Sequence, residues 1–282
     1  MGKVFDALQR AEEERSRRTG EATAVARGAL ARGAQRAAPA GPGRSFWRRL
    51  LMRRERVVGS EDASALNKRR IALLQPQSAV AEQFRTLRAR IDSMTASSPA
   101  RSIAVTSAND GDGKSMAAVN LALVMSMSVG RKVALVDCDL RRPRVHESLG
   151  IPVEAGLAEV LAGTAELEDA LVPVDGSPLQ VLPVRALPPN PSELLASGRM
   201  RDLIEKLGTR FDRVVLDVPP TLGLPDAKVV TDLCDGVLFV VRAHATPRED
   251  VEAALEILDR SRILGVVLNG TDIESARYEY AG

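Results

Sequence analysis

Six short runs of apolar, mostly β-branched residues recur in the later part of this chain: SIAVTS (102–107), KVALVD (132–137), LQVLPV (179–184), RVVLDV (213–218), GVLFVV (236–241) and LGVVLN (264–269). None alternates polar with apolar, so each run must be covered on both faces, as a strand inside a parallel sheet is. Helical stretches such as 115–128, 192–208 and 248–261 lie between them and supply the crossovers that parallel strands require. A further helix reads from SAVAEQFRTLRARIDSM, ahead of the first run. The expected fold class is therefore α/β, a doubly wound and mainly parallel sheet.

The first run is followed by SANDGDGKSM (107–116) and then by a helical stretch. Ala108, Gly113, Lys114 and Ser115 match the spacing of a phosphate-binding loop, with Ala at its first position. Gly111 and Gly113 let backbone N–H groups turn inward around a polyphosphate, and the helix that follows points its positive end at the same oxygens. Lys114 is placed to reach the β- and γ-phosphates, and the Ser115 hydroxyl is a hard oxygen ligand suited to Mg²⁺. Asp110, Gly111, Asp112, Gly113, Lys114, Ser115 and Met116 are the expected ATP-binding residues.

Acidic residues stand at two later strand ends. VALVDCDLRRP (133–143) puts Asp137 at the end of the second run with Asp139 just beyond it, and VVLDVPP (214–220) puts Asp217 at the end of the fourth. In a parallel sheet these ends share the edge where ligands bind. Asp217 suits the metal's outer shell, and Asp137 is read either as a metal ligand or as the acceptor of a proton from an attacking hydroxyl. Taken one at a time, each aspartate also fits a turn or helix cap, a reading that weakens for the set because all follow apolar strands in order.

The net charge of +2 conceals an uneven distribution: residues 1–70 carry 17 Lys/Arg against 8 Asp/Glu, leaving 22 against 29 for the rest. Three parts are expected: a basic segment (1–75), a nucleotide-binding domain (76–269) and a tail (270–282). Within the first, RSFWRRLLMRRERVV (44–58) sets Phe46, Trp47, Leu50 and Leu51 on one helical face among six arginines. That pattern fits a short membrane-surface helix or, equally, a solvated or partner-docking segment. No run of 18 or more apolar residues exists, so no span is expected. Cys138 and Cys234 have no CxxC company and read as buried fillers in a reducing cytoplasm. His146 and His244 lack metal-ligand neighbours and read as structural. Nucleic acid is not among the expected partners.

Together, EQFRTLRARI, SANDGDGKSM, VALVDCDLRRP, GLAEVLAG, NPSELLAS, VVLDVPP and GVVLNG resemble the bacterial tyrosine kinases of capsule and exopolysaccharide export, over about residues 76–282. The resemblance implies a P-loop fold of the deviant Walker, MinD/ParA-like superfamily, with ATP and Mg²⁺ as cofactors. It implies catalytic duties for Lys114, Asp137, Asp139 and Arg141, and a magnesium site at Ser115, Asp137 and Asp217. It also implies ring assembly through Glu82, Arg85 and Arg88, which share one helical face and are as compatible with an ordinary salt-bridged surface. The tail ARYEYAG holds both tyrosines of the chain, Tyr278 and Tyr280, which become the expected autophosphorylation sites. A membrane-bound chain-length regulator is the implied activator, and recruitment to the inner face of the plasma membrane follows from it. The alternative is a nucleotide-switched assembly ATPase of the partitioning type. Those proteins typically carry a lysine where this chain has Asn109, and the kinases commonly carry Thr where it has Met116.

Overall fold

The computed structural model describes residues 70–97 and 100–271. The basic segment up to residue 69, with its 44–58 stretch, and the two tyrosines lie outside the described residues. A seven-stranded sheet carries the fold in the order β3-β4-β2-β5-β1-β6-β7. Its strands are β1 (Ser102–Ser107), β2 (Val133–Asp137), β3 (Val172–Pro173), β4 (Gln180–Leu182), β5 (Arg213–Asp217), β6 (Gly236–Arg242) and β7 (Ile263–Asn269). All pair in parallel except β3, which lies antiparallel on β4 at the edge. Pro173 is tolerated there because an edge strand can lack a donor. The doubly wound α/β reading is correct, and each apolar run contains a strand.

The crossover from β1 to β2 contains α3 (Lys114–Ser126), and the chain passes over β5 to reach its place in the sheet. Nearly every side chain of α3 is buried, including Ala117, Leu121, Val124 and Met125. A helix apolar all round must sit between layers. On its outer side packs α2 (Ala79–Met94), which buries Phe84 and Ile91 and is capped by the Ser78 hydroxyl accepting from the Ala81 N–H. Ahead of the expected boundary at 76, α1 (Ile71–Leu74) also docks here: the Ala72 N–H donates to Asn120 Oδ1 of α3 at 3.0 Å.

Two expected helices are each cut short by a capping side chain. The 192–208 stretch divides into α7 (Pro191–Leu195) and α8 (Gly198–Arg210), because the Ser197 hydroxyl accepts from the Met200 N–H and starts a new helix. The 248–261 stretch ends as α10 (Arg248–Ile257), and Asp259 then caps a 3₁₀ turn at Arg260–Arg262 through the Ser261 N–H. Short helices α4 (Val145–Leu149), α5 (Leu157–Ala162), α6 (Leu167–Ala170) and α9 (Asp226–Thr231) complete the two faces. Cys138 and Cys234 are buried free thiols. Among the described residues no helix is long and apolar enough to cross a membrane.

Candidate active site

The carboxyl ends of β1, β2 and β5 meet where the chain order of the sheet is interrupted, which is where open α/β sheets bind ligands. Register fixes the acidic residues there: Asp137 lies directly opposite Asp217, and Val105 of β1 lies opposite the same residue. Paired residues on neighbouring strands present their side chains to the same face, so two buried carboxylates share one site.

The loop after β1 needs glycine twice. Gly111 and Gly113 hold φ of 87° and 99°, in the region that favours glycine. At Gly113 there is also no room, since an added Cβ would stand 2.0 Å from Asn269 Nδ2. Gly113 is the residue before α3 and offers no side-chain cap, leaving the first-turn N–H groups of that buried helix available to an anion. Asp112 braces the loop from below. Its Oδ2 accepts from the Asn109 N–H at 2.9 Å, its Oδ1 accepts from Thr246 Oγ1 at 2.7 Å, and its carbonyl accepts from Asn269 Nδ2 at 2.8 Å. Asn109 donates through Nδ2 to Asp250 at 2.6 Å, so it ties the loop to α10.

A cavity of about 350 Å³ opens above this loop, lined by Asp110, Gly111, Gly113, Lys114, Ser115, Met116, Asp139, Arg142, Arg144 and Ser148. Of the seven expected ATP-binding residues, Asp112 alone turns its side chain away from the cavity. On the cavity floor Lys114 Nζ donates to Asp139 Oδ2 at 2.8 Å and stands 3.8 Å from Asp217 Oδ1. Burial works against the lysine's charge, but Asp217, Asp139 and Asp137 outweigh it and raise the pKa above the ordinary lysine range. Both oxygens of Asp217 are buried without a completed hydrogen bond, and burial raises its pKa despite the nearby Lys114 ammonium and Ser115 hydroxyl. Burial and the Asp217 charge likewise push Asp137 well up. Asp137 is nonetheless well connected: Oδ1 accepts from the Asp139 N–H, and Oδ2 accepts from the N–H groups of Arg144 and Val145.

Arg141, for which the resemblance implies a catalytic duty, is not among the residues that line the cavity. Its Nε donates to the buried Asp226 carboxylate at 2.9 Å and its terminal nitrogen to Ser192 Oγ at 2.9 Å, linking the β2 loop to α7 and α9. Arg142 and Arg144 line the cavity instead. The signal for them was the run DLRRPR, whose three arginines spacing alone does not rank. Glu82 and Arg85 pair with each other on the surface of α2 at 2.6 Å. Arg88 turns inward and donates to the Val124 carbonyl and Ser128 Oγ, closing the end of α3.

A glycine-turned loop on a buried helix N-terminus, with its lysine held between strand-end carboxylates, defines a P-loop NTPase. The family profile described as "ParA: NUBPL iron-transfer P-loop NTPase" matches residues 99–278. Tyrosine-protein kinase YwqD of Bacillus subtilis is 35% identical over 222 residues, 78% of this chain and 93% of that protein. The succinoglycan biosynthesis transport protein ExoP of Rhizobium meliloti is 37% identical over 209 residues, which are 72% of this chain but only 26% of ExoP. The kinase domain of Escherichia coli tyrosine kinase ETK superposes with a TM-score of 0.69 at 31% identity, covering 75% of this chain and 84% of that one. The chain belongs to the bacterial tyrosine-protein kinases, within the ParA-type P-loop proteins.

Proposed function

We propose that this chain transfers the γ-phosphoryl group of ATP to the tyrosines of its own carboxyl-terminal tail, and that it serves exopolysaccharide export. The observation that carries the reading is the union of the phosphate loop with the root of the tail. Asn269, the last residue of β7, hydrogen-bonds the loop backbone at Asp112, although β6 lies between β7 and β1. Nine residue steps lead from Asn269 to Tyr278, a reach of about 30 Å when extended. That length serves the chain's own cavity or a neighbour's.

In the transfer, the bond from the γ-phosphorus to the oxygen it shares with the β-phosphate breaks as a bond to the tyrosine oxygen forms. The phenolic proton leaves to a carboxylate, and ADP departs with the new negative charge. Asp139 is the strand-end carboxylate that reaches the cavity, and we assign it the proton. Lys114 and the α3 N-terminus neutralise the phosphates, the positioning and electrostatic work that dominates this chemistry. The donor set fits Mg²⁺: the Ser115 hydroxyl and the Asp217 carboxylate are hard oxygens, and Asp217 has two buried oxygens with no completed hydrogen bond. Those two residues would hold the ion, with Asp137 behind them, and the ion would supply further neutralisation of phosphate charge. Asp137, bound to three backbone N–H groups, shapes the loop that surrounds the site.

Intact and peptide mass spectrometry after incubation with Mg·ATP tests this, beside a Lys114→Ala control. Phosphate appears on Tyr278 or Tyr280, and the control is slower by about 10²–10³ fold, as when one transition-state donor is removed. ATP hydrolysed with both tyrosines bare supports the assembly-ATPase alternative. Asn109 speaks against that alternative, since the position of its second lysine holds a neutral side chain committed to Asp250.

The export role follows from the similarity to ExoP and brings with it a membrane-bound chain-length regulator as activator. Assembly into a ring would use Glu82 and Arg85, the outward pair on α2, with Arg88 holding α2 against α3. The basic stretch 44–58 supplies a contact for that regulator or for anionic lipid at the inner face of the plasma membrane.

A further inference from the structure

The loop from Asp139 to Arg144 carries three arginines and gives each different company. Arg141 is not part of the cavity lining and is spent on Asp226 and Ser192. Arg142 lines the rim and is held there by Asp110 at 2.5 Å. Arg144 lines the same cavity as Lys114, it is exposed, and its guanidinium makes no hydrogen bond or ion pair with a described residue. Its backbone is the opposite case. The Arg144 N–H and the Val145 N–H both donate to Asp137 Oδ2 at 3.1 Å, so a fully buried carboxylate fixes where this side chain leaves the main chain.

Charge balance shows what is missing from the site. Its floor gathers Asp137, Asp139 and Asp217 around one lysine, and that lysine already stands 2.8 Å and 3.8 Å from two of them. A triphosphate entering such a floor needs cations from the walls. Among the described residues the wall cation left free is Arg144, a guanidinium whose planar fork grips two phosphate oxygens at once, where an ammonium acts as a point charge.

We propose that Arg144 closes over the γ-phosphoryl group and neutralises it during transfer, with Asp137 as the positioning residue that aims it. This rests on the phosphotransfer reading above. Arg144 contacts the group present in ATP and absent from ADP, so it discriminates the two nucleotides as well as speeding the reaction.

The test uses the purified full chain, with Arg144→Ala and Arg144→Lys beside the wild type. Calorimetry with Mg²⁺ compares β,γ-imido-ATP with ADP, and single-turnover mixing gives the transfer rate. In Arg144→Ala the imido analogue weakens by about tenfold or more, as expected for a lost charge-assisted pair. ADP affinity and melting temperature stay at wild type, and transfer falls by about 10²–10³ fold. Lysine restores part of the affinity and little of the rate. Equal weakening of both nucleotides would reduce Arg144 to a general anion attractor, and an unchanged affinity for the analogue would remove it from the site; either result overturns the proposal. If the wild type binds nucleotide but leaves its tyrosines bare, the kinase reading fails, while the comparison of the two nucleotides still decides the role of Arg144.

Discussion

Asp217 sits on β5 with both oxygens buried and neither hydrogen-bonded, a costly state for an anion. Burial raises its pKa from the ordinary 3.8, so the folded protein holds protons that the unfolded chain would release. Stability from this group is therefore present at and below about pH 4 and is lost as pH climbs through the raised folded value. Asp217→Asn should make the nucleotide-free protein more stable at neutral pH, by about 1 kcal/mol, and should flatten the fall in melting temperature above pH 4. The same substitution should abolish the extra stability that Mg·ADP confers on the wild type. Scanning calorimetry across pH, with and without nucleotide, reads both effects. A wild-type pH profile in the variant would mean that Asp217 is satisfied in a way the structure does not show. A site kept short of donors so that a cation can complete it is one place where stability yields to function.

At the scale of elements, α3 connects binding to packing. Its N-terminus faces the cavity, its body is buried, and its far end is closed by Arg88 from α2 through the Val124 carbonyl. Arg88→Ala should cost about 1–2 kcal/mol by opening that end, measurable in chemical denaturation of dilute protein. Glu82→Ala, at an exposed pair, should cost almost nothing there. If both variants weaken assembly but only Arg88→Ala weakens the fold, α2 has two separable duties. The helical stretches were legible as periodic runs. Their interruptions were not, because Ser197 and Asp259 act as caps only where the backbone has already turned, and periodicity alone reads through such positions.

Across the whole molecule, the tail begins beside the phosphate loop, and phosphorylation would add negative charge to a domain in which acidic residues already outnumber basic ones beyond residue 70. Native mass spectrometry should show smaller assemblies after autophosphorylation and recovery of the larger ones on treatment with a tyrosine phosphatase. A Tyr278→Phe/Tyr280→Phe variant should stay assembled through the same incubation and keep its affinity for ATP. Assemblies indifferent to phosphate would separate the tyrosines from any control of oligomeric state.

What the amino-acid order settled alone is whatever depends on neighbours in the chain. Unbroken apolar runs demand a sheet covered on both faces, and SANDGDGKSM between a strand and a helix places a loop for phosphate. Strand-end aspartates had to share one edge once the strands were parallel. Contacts across long stretches of sequence were decided by the fold. Only packing brings Asn269 against Gly113, so the β7 end reaches the phosphate loop across the intervening strand β6. Only packing turns Arg141 toward Asp226 and leaves Arg144 over the cavity, since three arginines in one loop are chemically alike until the buried groups around them differ. Spacing along a chain fixes which faces are apolar; the destination of a long polar side chain depends on donors and acceptors that meet only after the layers close.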